Sequence, residues 1–70
     1  MLHVNQINVG DLLFFQTNKN KDVINHVGLV VEIVPGSVNF IHSTTSRGVI
    51  VSSLNERYWN DAFVVAKRVL

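Results

Sequence analysis

HVGLVVEIVPGSVNFIHS, residues 26–43, reads as two strands folded back on each other around a turn. Its apolar residues are β-branched or aromatic and come in runs without helical spacing, and Pro35-Gly36 interrupts them. The pattern predicts strands over 26–34 and 38–43. Side chains alternate across a strand, so His26, Gly28, Val30, Glu32 and Val34 share one face, as do Val38, Phe40 and His42 in the second strand. A turn running from residue 33 to residue 37 pairs 32 with 38, 30 with 40 and 28 with 42. His42 then lies opposite Gly28 and diagonal to His26, ~7–8 Å away at the backbone. A slip of one residue would send the two imidazoles to opposite faces. Gly28 has no side chain to stand between them.

The remaining segments extend the same reading. Further strands are expected at about 11–16 (DLLFFQ), 49–53 (VIVSS) and 62–69 (AFVVAKRV), and TNKNKDVIN is a polar loop. LNERYWND reads as a single helical turn, with Ser53 as its cap and Glu56 three residues on in a capping box. Tyr58 and Trp59 are its aromatic anchor on the sheet. The fold class is therefore mostly β: an antiparallel sheet or half-barrel of about five strands with one short helical turn.

Both faces of the central hairpin are apolar, with Val27, Leu29, Val31, Ile33 and Ile41 on one side and Val30, Val38 and Phe40 on the other. Each needs a cover. The other strands can supply one, so the second face calls for a dimer partner or for chain upstream of this segment. Seventy residues make at most one domain, and a chain this short buries only ~60% of its unfolded surface.

Composition excludes several classes. Apolar residues are 47% of the chain, against disorder, and the net charge is only +1. The basic residues Lys19, Lys21, Arg47, Arg57, Lys67 and Arg68 are dispersed, so no nucleic-acid footprint is expected. No apolar run reaches the ~18 residues of a membrane span, and MLHVNQINVGD lacks the layout of a signal peptide. The chain is then either cytoplasmic or exported by a segment outside this sequence. It has no cysteine, which excludes disulfides and thiolate metal sites here.

The chemistry-bearing candidates are few. His26 and His42 share a face, which suits a base and its orienting partner. No third donor stands at ligand spacing, so neither a metal site nor a cofactor is expected. His3 has no partner pattern. HSTTSRG offers serines, but no nucleophile elbow accompanies them. Ser43 and Arg47 are candidate substrate contacts, although a strand-end serine and an exposed turn arginine are the plainer readings.

The ordered set INVGDLLFF, HVGLVV, FIHSTTSRGVIVSSL, YW and FVVAKRV resembles the NlpC family of bacterial cell-wall cysteine peptidases, which have a papain-like fold. The resemblance runs from Ile7 to Val69. It implies that residues 1–70 form a single partial domain, the β half of an α+β papain-like domain, without the helical part that carries the nucleophile. In that family a cysteine at a helix N-terminus attacks an amide carbonyl, a histidine at a strand start activates it, and a polar residue on the next strand orients the ring. His26 matches the base and His42 the orienter. The family's nucleophile precedes the GDLxFF strand, so this chain starts too late to contain it and is expected to be inactive alone. The implied substrates are peptidoglycan stem peptides, commonly cut between D-glutamate and a diamino acid, and members are mostly exported to the cell envelope. The uncovered apolar face would accept the missing helix or a second copy in a homodimer. Three rivals remain beside this reading: a permuted papain-like amidase, a degenerate non-catalytic paralogue, and a small β-barrel interaction module.

Overall fold

The computed structural model describes residues 6–69, so His3 lies outside the described part. Five strands form one antiparallel sheet: β1 (Leu12–Phe15), β2 (His26–Val34), β3 (Ser37–Thr44), β4 (Gly48–Ser53) and β5 (Phe63–Lys67). Their order is β4-β3-β2-β1-β5, which leaves β4 and β5 as edges. Between them the chain crosses the sheet through one short helix, α1 (Arg57–Ala62). The architecture is mostly β, as the alternation predicts.

The central hairpin departs from the expected register in one place. Pro35 and Gly36 alone connect the strands, so Val34 pairs with Ser37 and Ile33 with Val38. Gly36 takes φ 79°, a conformation open to glycine and strained for other residues. Nearer the other end, Val30 still pairs with Phe40 and Leu29 with Ile41. Glu32 faces Asn39 rather than Val38, because the register shifts between Val30 and Glu32. One extra residue there, Val31, forms a bulge. Its effect is to turn Ile33 toward the face of Val38, while Glu32 moves to the opposite face and accepts a 2.8 Å hydrogen bond from Asn39 Nδ2.

The inner face carries the core. Leu13, Phe15, Val30, Phe40 and Ala66 are fully buried, and Ile7, Leu54 and Ala62 close over them with Trp59 and Phe63 at the margin. Gly28 contributes by what it lacks. A Cβ there would lie 2.5 Å from Phe40 Cδ2, so the space it leaves belongs to the Phe40 ring and not, as the sequence suggested, to the imidazoles.

The helix also begins later than its capping signal suggests. Ser53 N–H donates to Glu56 Oε2 at 2.7 Å, and Ser53 Oγ accepts from Asn55 N–H at 3.0 Å. These bonds close the turn at 53–56, and α1 starts only at Arg57, where Glu56 makes no side-chain cap. The capping-box residues thus stabilise the approach to the helix rather than its first turn. Trp59 faces the sheet as expected, whereas Tyr58 is exposed and meets the Trp59 ring, 4.8 Å between centroids.

The outer face stays open. Leu12, Leu29, Ile41 and Val51 are successive partners across four strands, and Val27, Leu29, Val49 and Val51 are all exposed.

The start of β1 and the end of β5, neighbouring strands, are tied by a pair that the pattern did not mark. Arg68 Nε and Nη2 donate to the buried Asp11 carboxylate at 3.0 and 3.1 Å, and Nη2 also reaches the Gln6 carbonyl at 2.6 Å. The Arg68 hydrogen bonds, then the Asn8 N–H, hold the Asp11 carboxyl below its usual range. A depressed carboxyl pKa stabilises the fold above the unfolded value, ~3.9, and this stabilisation is lost as pH falls through the folded value. Asp11→Asn should therefore unfold more readily at pH ~7. In acid titrations followed by circular dichroism, its stability should also fall less steeply below pH ~4 than that of the wild type. Equal slopes would remove Asp11 from the acid response.

Candidate active site

The structure brings His26 and His42 together. His26 begins β2 opposite Phe15, and His42 lies on β3 opposite Ile50. His26 Nε2 and His42 Nδ1 are 2.9 Å apart. The two ring planes are nearly perpendicular, at 86°, and the centroids are 5.1 Å apart, so the rings meet nitrogen edge to nitrogen edge. That geometry suits an in-plane hydrogen bond from one ring nitrogen to the other.

Three neighbours fix the pair. Trp59 of α1 stacks on His26, with centroids 5.2 Å apart at 24°, and meets His42 edge-on at 4.7 Å. Below them Phe40 contacts the His42 ring at 4.8 Å. At the far side His42 Nε2 lies 2.8 Å from Ser52 Oγ on β4. The result is a three-member relay, His26–His42–Ser52, that runs from the half-buried edge into the core, where His42 and Ser52 are 4% and 7% exposed.

Sequence reasoning missed Ser52. The available signal was its alternation with Ile50 and Leu54, which places a polar side chain on an inward, otherwise apolar face. Burial, and then the charge of His26, hold His42 below the ordinary histidine value, against a smaller opposing effect of Glu56. Both lowering effects favour the neutral form of His42.

Nδ1 of His26 takes no part in the relay. His26 lines an open cleft of about 430 Å³ with Phe14, Ile24, Asn25, Val27 and Ser43. It also lines a second cleft, of about 290 Å³, with Thr17, Ser43, Thr44, Thr45, Tyr58 and Trp59. Ser43 is thus placed beside His26 in both. Arg47 lines neither; it is exposed beyond the end of β3, where its backbone N–H donates to Thr44 Oγ1 at 3.0 Å. Among the described residues no group of three or more His, Cys, Asp or Glu could hold a metal ion.

Five antiparallel strands and one short helix, with an imidazole pair near the strand ends, make up the mostly β fold of this chain. Residues 2–68 match the model of the NlpC/P60 family, and the chain belongs to that family. It is 33% identical over 69 residues to a probable endopeptidase NlpC homolog of Haemophilus influenzae, covering 99% of this chain and 32% of that protein. It is 39% identical over 64 residues to the murein DD-endopeptidase MepS/murein LD-carboxypeptidase of Escherichia coli K12, covering 91% of this chain and 30% of that one. A crystal structure from Staphylococcus aureus, described as similar to lipoprotein of the NLP/P60 family, superposes with a TM-score of 0.73 at 28% identity. That match covers 100% of this chain and 22% of the other. The chain spans about a third of the length of these two curated relatives.

Proposed function

We propose that this chain supplies the base half of a cysteine endopeptidase acting on peptidoglycan stem peptides, with His26 as general base and His42 as its orienter. The observation that carries the reading is the 2.9 Å contact between His26 Nε2 and His42 Nδ1, which engages one nitrogen of the base and leaves the other for a thiol. The names of the relatives, probable endopeptidase and murein endopeptidase, support the reaction class. The 70 residues contain no cysteine, so the nucleophile is contributed from outside them.

In that reaction Nδ1 of His26 takes the thiol proton, and the thiolate attacks the amide carbonyl carbon to form a C–S bond. The imidazolium then gives its proton to the departing amine as the C–N bond breaks. Water, activated by the same nitrogen, releases the acyl group. His42 holds the imidazolium by accepting from its Nε2. The two clefts that meet at His26 give room for peptide on both sides of the reacting bond, and Ser43 lies within reach of either part. The open outer face is the proposed seat of the helix that carries the thiol, and self-association through Val27, Leu29 and Val51 would compete for it.

The 70-residue chain alone is expected to leave stem peptides uncut. Joined to an upstream helix bearing a cysteine at its N-terminus, it should cleave them, with turnover lost on alkylation of that cysteine. Turnover by the chain alone would overturn the proposal. A well-folded joined protein without turnover would favour a degenerate paralogue.

A further inference from the structure

The geometry points to Ser52 as the residue that selects the tautomer of both histidines, a positioning role that rests on, and deepens, the reading of His26 as base. His26 can take a proton only at a nitrogen with a lone pair. With Nε2 committed to His42, that nitrogen is Nδ1, so Nε2 must carry the hydrogen and donate it across 2.9 Å to His42 Nδ1. A neutral imidazole has one N–H and one lone pair. Accepting at Nδ1 obliges His42 to carry its own hydrogen on Nε2, and the acceptor within reach there is Ser52 Oγ at 2.8 Å.

The same polarity serves the protonated state. When His26 carries hydrogens on both nitrogens, His42 must still accept at Nδ1 and therefore still donate from Nε2. Ser52 is the acceptor before and after proton transfer, and nothing in the relay has to turn. The reverse polarity disables the base. If the Ser52 hydroxyl donates to His42 Nε2, the His42 hydrogen lies on Nδ1, His26 Nε2 must accept, and the His26 hydrogen is left on Nδ1, where the thiol proton should arrive.

Burial makes the choice consequential. His42 and Ser52 are both shielded from water, so an Nε2–H without an acceptor would carry the full desolvation penalty. Alanine at position 52 creates that orphan. His42 escapes it by moving its hydrogen to Nδ1, which reverses the relay. A serine needed only to fill space would leave the hydrogens where they were.

Nitrogen-15 NMR of the imidazole rings reads this directly in the 70-residue chain, at pH ~8.5, above the ordinary histidine value of ~6.5. In the wild type both rings should carry hydrogen on Nε2. In Ser52→Ala most molecules should carry it on Nδ1 of both rings, and Ser52→Thr should restore the wild-type pattern. Where Ser52→Ala fails to fold by circular dichroism, Ser52→Cys, a weak hydrogen-bonding group of similar shape, should show both tautomers. An unchanged wild-type pattern in the folded alanine or cysteine variant overturns the role of Ser52 and leaves the reading of His26 intact. A wild type with hydrogen on His26 Nδ1 overturns the polarity itself, and with it Nδ1 as the base.

Discussion

His26→Ala, introduced into the chain joined to a cysteine-bearing helix, is expected to lower kcat on stem peptides by about 10²–10⁴-fold while KM changes little. The ring is asked for three things in sequence: to take the thiol proton, to give it to the leaving amine, and to activate the hydrolytic water. None of these is ground-state binding, so the loss belongs in kcat. A free thiol near neutral pH is only a few per cent thiolate. Without the imidazole that small fraction must do the work, and the departing amine has no proton donor. The geometry argues against substitution by its neighbour. His42 is buried, its Nδ1 faces His26 and its Nε2 faces Ser52, so it presents no nitrogen to the cleft. Because Trp59 stacks on His26, the variant must first be shown to fold, and its Trp59 emission gives that check on the same sample. A folded variant that keeps more than about a tenth of wild-type kcat would show that His26 is not the base.

The imidazole pair could be read from the sequence because it depends only on alternation and on which face each strand buries. His26, Gly28 and Val30 are inward in β2, Phe40 and His42 in β3, and the Val30–Phe40 pairing fixes the rest near the site. The register beyond Val30 could not be read in the same way. Pro35-Gly36 fits a two-residue turn as well as the middle of a longer one, and the two choices differ by one residue along β2. The fold absorbs that difference at Val31, away from the histidines, which is why a wrong pairing for Glu32 did no harm to the site. Ser52 was harder, since a strand serine is ordinarily a solvent-facing residue, and only its inward register gives it significance. Asp11 and Arg68 are 57 positions apart, and no periodicity links them; only closure of β5 onto β1 brings them together.

The largest loss of stability should follow Phe40→Ala, at about 3–5 kcal/mol. Phe40 is fully buried, its ring lies 5.0 Å from Phe15 and 5.7 Å from Trp59 between centroids, and it fills the space over Gly28. Two features keep the site from collapsing around the void. Gly28 has no side chain to move inward, and the rings that could do so are held elsewhere: Trp59 by its stack on His26, His42 by hydrogen bonds at both nitrogens. A cavity that cannot close costs more than the lost transfer energy alone. Domains of this size carry roughly 4–10 kcal/mol in total, so the variant should lose about a third or more of its stability. Urea unfolding followed by circular dichroism and Trp59 fluorescence would measure it, with Phe40→Leu recovering part of the loss. A cost below about 1 kcal/mol would mean that Phe40 is not the centre of this core. The same side chain supports both halves of the molecule. It packs on the His42 ring at 4.8 Å, so a void at position 40 should loosen that ring as well as the core. The imidazole pair and the hydrophobic core of this sheet are one packing problem, and Phe40 is where they meet.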